Sequence, residues 1–421
     1  MNHSNRSNPG GYQAANMSRQ MAGGTLGPDV PKPLPKALPK IVQKAAEYNL
    51  TEHCNLRCAG CSHSSELLPK KFAEVKEFQR DLAVLSQVLH LNELRLLGGE
   101  PLLHPDLLEY LRCARASGLA EEITLSTNGL LLHRCDPATF ELIDRLRVSL
   151  YPGVRLRVEE RELESLSRRY NFKLELKRVD SFRVTTLNSR HRDASLVRRI
   201  FRQCALAHDW SCHTVHQGYY FKCSPAPFLQ GRMALRGESV LNRDLDGVRI
   251  HDNPRLREEL EAYLRDEEPL EACYYCLGSS GRRFPHRQLN SKKLREEIDR
   301  SGKLRDPPAD PQRHVRGYHA WARLMHERFG ARARSLADYA IDSIAHEQVA
   351  MGMMAMHEGD RRFARRCYLS SLRNRPLKLK TYVRLAWATV PASVTQMLSP
   401  MLAPGLRRSL SGPPFLEERP Q

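Results

Sequence analysis

The sequence predicts an α/β fold of parallel strands joined by crossover helices, followed by a small cysteine-rich domain and an α-helical tail. Three observations carry this. Short strand-like runs alternate with helical stretches between residues 45 and 190, cysteines crowd residues 204–276, and the chain turns Arg-rich and helical beyond a Pro-rich break. Alternation of the two element types favours parallel pairing, because parallel neighbours need a long connection that returns the chain to the same end of the sheet.

Residues 1–40 are rich in Asn, Ser, Gly and Pro and end in Pro31-Lys32-Pro33-Leu34-Pro35-Lys36. Such a segment has too little apolar surface to offset the entropy of ordering, so a disordered tail is expected. Strands are expected at 48–51, 94–97, 123–126, 147–150, 172–177 and 182–186, with helices around Phe72, Leu107, Phe140 and Leu163. The clearest helix covers 71–90, where Phe72, Val75, Phe78, Leu82, Leu85 and Val88 recur at helical spacing. After it, Glu93-Leu94-Arg95-Leu96-Leu97 reads as a buried strand that enters Gly98-Gly99-Glu100-Pro101. Two glycines at a strand end leave bare backbone that a ligand's ammonium or carboxylate can reach.

Cys54, Cys58 and Cys61 stand at CxxxCxxC spacing directly after the first strand. A 4Fe-4S cluster is normally held by four thiolates, so three leave one iron open to another ligand. Structural zinc is the other reading, with His53 and His63 as flanking donors. A second set, Cys204, Cys212, Cys223, Cys273 and Cys276, is too dense for chance packing, and Cys273-Tyr274-Tyr275-Cys276 has metal-clip spacing. Gly218 to Cys223 reads as a hairpin that delivers Cys223. Cys113, Cys135 and Cys367 sit on apolar or helical stretches and read as structural.

The Cys triple, Gly98-Gly99-Glu100-Pro101, Ser126-Thr127-Asn128-Gly129 and Ser149 fall at the ends of four successive strands, and in this the chain resembles the radical S-adenosylmethionine (radical SAM) superfamily. The resemblance implies a partial (β/α)6 barrel with its site at the carboxyl ends of the strands. It implies that Cys54, Cys58 and Cys61 hold a 4Fe-4S cluster whose fourth iron chelates S-adenosylmethionine. Gly98, Gly99, Glu100, Ser126, Asn128 and Ser149 then contact that cofactor. An electron donor such as flavodoxin or ferredoxin is implied as partner. One departure stands out: the family usually has an aromatic residue before the third Cys, against the adenine, and Gly60 occupies that place here.

The second set resembles the twitch or SPASM-like auxiliary domain of the same superfamily. Cys204, with thirteen residues before Gly218, fits its pattern together with Cys223, Cys273 and Cys276. That resemblance implies an auxiliary 4Fe-4S cluster, with Cys212 as an alternate ligand or a hydrogen-atom donor; zinc on the same four Cys stays open. The expected boundaries are 1–40 for the tail, 41–190 for the core, 191–305 for the auxiliary domain and 306–421 for a basic helical region. That last region resembles one tetratricopeptide-like helix pair.

Eleven Cys in 421 residues is no disulfide scaffold, and the polar first 22 residues read as no secretion signal, so a reducing cytoplasm is expected. Residues 311–421 hold 18 Lys/Arg and 8 Asp/Glu, hence +10 of the total +18. Such charge suits a protein partner, an anionic membrane surface or a phosphate-bearing substrate, and no nucleic-acid module accompanies it. Residues 385–406 are apolar but broken by Pro391, Pro400 and Pro404, so at most a surface-lying helix is expected. The single auxiliary cluster resembles the aminocyclitol dehydrogenase type, so the expected substrate is a sugar or cyclitol, dehydrogenated or epimerised. A peptide maturase, an RNA-modifying enzyme and a non-enzymatic iron-sulfur or zinc scaffold are the competing readings.

Overall fold

The computed structural model describes residues 39–292 and 341–402, apart from 188–189, 203, 236, 238–242, 282, 358 and 378, together with residue 410. Residues 1–38 of the expected tail (1–40) and the break at 306–311 lie outside the described residues.

Five parallel strands form the centre: β1 (Ile41–Thr51), β2 (Leu89–Gly98), β3 (Ala120–Thr127), β4 (Arg145–Leu150) and β5 (Lys173–Arg178). They lie in sequence order across the sheet, joined by α1 (Val75–Val88), α2 (Leu107–Ser117), a single turn α3 (Ala138–Glu141) and α4 (Glu160–Tyr170). The strands alternate. Ala46, Tyr48, Leu50, Leu94, Leu96, Ile123, Leu125, Leu146 and Val148 face the helices in one core with Phe78, Leu82, Leu85, Tyr110 and Leu111. Full burial of a side chain such as Phe78 or Leu85 contributes roughly 1.5–3 kcal/mol. The helix expected from residue 71 begins only at Val75; Phe72 instead bridges to Thr51 at the end of β1.

The sixth strand departs from expectation. The segment expected at 182–186 supplies only β6 (Ser181–Arg183), which pairs antiparallel with a late strand, Arg283–Pro285, away from the main sheet. The free edge of β1 is taken by β7 (Thr214–His216), followed antiparallel by β8 (Tyr219–Phe221) and β9 (Gly247–Arg249). The expected hairpin is present: Gln217 and Gly218 both have positive φ (49° and 74°), the geometry of a tight two-residue turn. It sets Cys223 two residues beyond β8.

Around it, α5 (Ala194–Arg202), α6 (Ala205–His208), α7 (Pro225–Ala234), α8 (Arg243–Asp246) and α9 (Leu256–Arg265) enclose a second apolar cluster with Phe201, Leu206, Phe221, Leu229, Met233 and Tyr275. The late strand is β10 (Arg283–Pro285). In the carboxyl-terminal region, α10 (Ile341–His357) and α11 (Arg361–Asn374) form a helix hairpin closed by Gly359-Asp360, whose Asp360 caps α11 through Phe363 N–H at 2.9 Å. Ser371 donates to the Ala345 carbonyl at 2.8 Å, and Gly352 leaves room for the Tyr368 ring. The apolar stretch from residue 385 breaks at Pro391 into α12 (Leu379–Thr389) and α13 (Ala392–Leu398). Among the described residues no helix is long and apolar enough to cross a membrane.

Candidate active site

The faces of β1 to β5 turned away from the helices are polar, and the register aligns them. Glu47 stands beside Arg95, Arg95 beside Thr124 and Thr124 beside Arg145, while Ser126 neighbours Arg147, Arg147 neighbours Glu175 and Ser149 neighbours Lys177. The charges satisfy one another. Arg95 Nε donates to Glu93 Oε2 at 2.8 Å and Nη1 lies 3.5 Å from Glu47 Oε1; Arg147 Nε donates to Glu175 at 2.9 Å and Thr124 to Glu93 at 2.6 Å. Burial pushes the Glu93 carboxyl up, but the Arg95 and Arg147 guanidiniums outweigh it and hold it below the usual range.

This polar face borders a cavity of about 400 Å³, the size of a small-molecule site. Cys54, Cys58 and Cys61 line it, as do Gly98, Gly99, Ser126, Asn128 and Ser149. Several buried polar atoms around it have no hydrogen-bond partner: Glu47 Oε2, His63 Nε2, Ser65 Oγ and Ser126 Oγ. Unpartnered buried groups are costly, so water or a bound ligand is expected to meet them. Burial raises the thiols of Cys54 and Cys58 to about 12 and that of Cys61 to about 11. Metal binding would therefore release their protons.

The loop is held from two sides. Asn128 Nδ2 donates to Asn55 Oδ1 at 2.6 Å and lies 3.6 Å from Cys54 Sγ. The glycines serve the chain itself as well as any ligand. A Cβ on Gly99 would stand 2.0 Å from the His53 carbonyl oxygen, and one on Gly98 2.5 Å from that of Thr51. Glu100 is turned inward. Its carboxylate accepts from Thr127 Oγ1 (2.6 Å), Asn128 N (2.8 Å) and Leu102 N (3.1 Å), and burial raises it to about 7 despite these donors. Its side chain braces the turn.

The space at Gly60 is explained by a residue sequence reasoning missed. Phe284 of β10 lies where a Gly60 Cβ would be, 2.7 Å from it. Of the cavity-lining rings, Tyr151 stacks with His286 at a centroid distance of 4.9 Å and Phe182 meets it tilted at 5.4 Å.

The second set separates. Cys204, Cys223, Cys273 and Cys276 line one apolar cavity, and each of the other three thiols bears electrostatically on Cys223. A Cβ on Gly278 would come within 2.7 Å of Cys204 Sγ. The free space there is about 20 Å³, so a cluster would need the four side chains to turn outward. Cys212 is elsewhere: it lines the large cavity with Glu47, Arg95 and Trp210. The expectation of Cys212 as alternate ligand gains no support from this placement. Among the described residues no three His, Cys, Asp or Glu side chains close around a single ion. A cubane places each thiolate on a separate iron, so it demands no such convergence.

Residues 48–173 match the radical SAM superfamily model. Among curated proteins, the chain is 31% identical over 137 residues to the GTP 3',8-cyclase of Chlorobaculum tepidum, covering 32% of this chain and 40% of that one. It is 36% identical over 108 residues to that of Rhodopirellula baltica, covering 24% and 30%. The chain thus spans less than half the length of these relatives. Among solved structures, BtrN in complex with AdoMet and 2-DOIA aligns with TM-score 0.35 and 16% identity, over 56% of this chain and 94% of that chain. Streptococcus suis SuiB bound to S-adenosylmethionine aligns with TM-score 0.26 and 19% identity, over 32% and 33%. The thiol loop and the glycine turn both lie inside the matched stretch: residues 48–173 carry a radical SAM domain match, and that superfamily uses a 4Fe-4S cluster and S-adenosylmethionine.

Proposed function

We propose that this enzyme abstracts a hydrogen atom from a carbon of a sugar or cyclitol held in the large cavity, and that Cys212 returns a hydrogen atom, as in an epimerase. When bound, the cofactors supply a 5'-deoxyadenosyl radical. The observation that carries the reading is Cys212 in the same cavity as Cys54, Cys58 and Cys61. Burial first, then the charge of the neighbouring Glu47 carboxylate, push its thiol up, so it stays S–H, the form that has a hydrogen atom to give.

The charge of the cavity supports this substrate class. Lys44, Arg95, Arg147 and Lys177 line the cavity with Glu47, Glu66 and Glu175, four cations against three anions. Alternating donors and acceptors with nearly cancelled charge suit a polyhydroxylated or aminated ring. A triphosphate such as the GTP in the relatives' name would meet carboxylates where it needs cations. Thiol donation breaks the S–H bond, forms a C–H bond and leaves a thiyl radical, which an electron and a proton restore. The electron comes from a reductant such as flavodoxin or ferredoxin; Cys204, Cys223, Cys273 and Cys276 would hold an auxiliary cluster, which would supply a further electron carrier.

The test is Cys212→Ala assayed in deuterated water with sugars, cyclitols and GTP. Epimer carrying one solvent deuterium from the parent enzyme, and none from the variant, is the expected result. Undiminished conversion by the variant would overturn the donor role; an oxidised, deuterium-free product would point to the dehydrogenase. A fully iron-loaded chain that does not cleave S-adenosylmethionine would leave a scaffold role.

A further inference from the structure

Residues 283–289 cross the Cys54–Cys61 loop from the far end of the sequence. The Ala59 N–H donates to the Arg287 carbonyl at 3.0 Å and the Leu289 N–H to that of Arg57 at 2.7 Å, so the two segments pair backbone to backbone around Cys58 and Gln288. Phe284 fills the space left by Gly60. The segment is more than a cover, because it brings a side-chain donor to a ligand sulfur. Gln288 Nε2 lies 3.2 Å from Cys58 Sγ.

The amide orientation is fixed by its neighbours. The Arg57 backbone N–H, at 2.7 Å, can only meet the amide oxygen, which leaves the NH2 group facing Cys58. That group has two hydrogens and two acceptors: Cys58 Sγ and, at 3.0 Å, His286 Nε2. His286 Nε2 therefore carries a lone pair. It stands 3.3 Å from Cys58 Sγ without donating to it, and its ring is held by stacking on Tyr151. Every part of the arrangement directs one N–H at the sulfur.

We infer that Gln288 is a positioning residue that sets the reduction potential of the cluster on Cys54, Cys58 and Cys61 through an N–H···S hydrogen bond, while its oxygen fixes the loop at Arg57. Hydrogen bonds to cluster sulfurs are among the determinants of potential. Reduction adds negative charge to the cluster, and a donor at the sulfur stabilises the charged state, so it raises the midpoint. The inference rests on the radical SAM reading of the loop, and it adds a residue some 230 positions away to the electron-accepting site.

The experiment compares the parent enzyme with Gln288→Met, which removes donor and acceptor at similar length, and Gln288→Glu, which keeps the acceptor for Arg57 and places negative charge at the sulfur. Each is reconstituted anaerobically, its iron counted, and its midpoint read by paramagnetic resonance on the cluster signal that S-adenosylmethionine perturbs. The expected order is parent highest, Met lower and Glu lowest, with iron content unchanged. An unmoved midpoint in the Met variant at full iron content overturns the inference. Loss of the signal in both variants also overturns it, since Gln288 then only holds the loop. No perturbed signal in the parent would remove the open cluster itself and the proposed function with it.

Discussion

Cys54, Cys58 and Cys61 border a cavity of about 400 Å³ walled by charged strand residues, whereas Cys204, Cys223, Cys273 and Cys276 border about 20 Å³ among Phe201, Leu206, Ala226 and Leu229. The first set is one thiol short of a complete ligand set and opens on unpartnered polar atoms; the second is complete and closed in apolar surroundings. Burial raises the thiols in both places, so thiol acidity does not separate them. What separates them is the surroundings: open space and polar groups at the first set, close apolar walls at the second.

The largest effect that can break this contrast is Cys58→Ala. It should reduce 5'-deoxyadenosine formation to background while leaving the second set's metal in place, which metal analysis and product chromatography check together. The paired change Cys273→Ala/Cys276→Ala should do the reverse. Iron falls from about eight to about four per chain and S-adenosylmethionine cleavage persists; zinc recovered with about four irons in the parent would instead mark the closed set as a zinc site.

A smaller effect concerns the β6–β10 strand pair. Arg183 of β6 and Arg283 of β10 flank Glu347 of α10 at 3.8 and 3.3 Å, and all three are nearly buried. Removing one partner of a buried ion group typically costs about 3–5 kcal/mol, so Glu347→Ala should lower the melting temperature, with the loss read by calorimetry.

The smallest effect is in pH. Glu100 is raised to about 7 in the fold against 4.5 in the open chain. Its contribution is fully present below pH 4.5 and is lost as pH rises through 7, by about 3 kcal/mol. Denaturant titrations of metal-free protein should show this slope, and Glu100→Gln should flatten it.

Local features were legible. The Cys triple, the glycine turn and the Asn128 turn each follow a strand whose alternation is written in a few residues, and the hairpin at Gly218 announced itself through its glycine. The polar face also left a signal: Glu93 and Arg95, Arg145 and Arg147, and Glu175 and Lys177 stand two positions apart on their strands, the mark of a second, polar face. What no local pattern carries is pairing across the chain. Phe182 looks like a sixth barrel strand because it alternates, but its partner is three residues long and a hundred positions away. Gln288 and Phe284 belong to the site for the same reason, and nothing beside them in sequence says so.

The reach of residues 283–289 back to the first loop also imposes an order in time. During synthesis the Cys54–Cys61 loop emerges long before the segment that pairs with it, and Cys276 emerges between the two. The loop therefore stays uncovered through the making of the entire second cysteine set, and the chain's own length gives metal delivery an interval that closes only when Gln288 arrives.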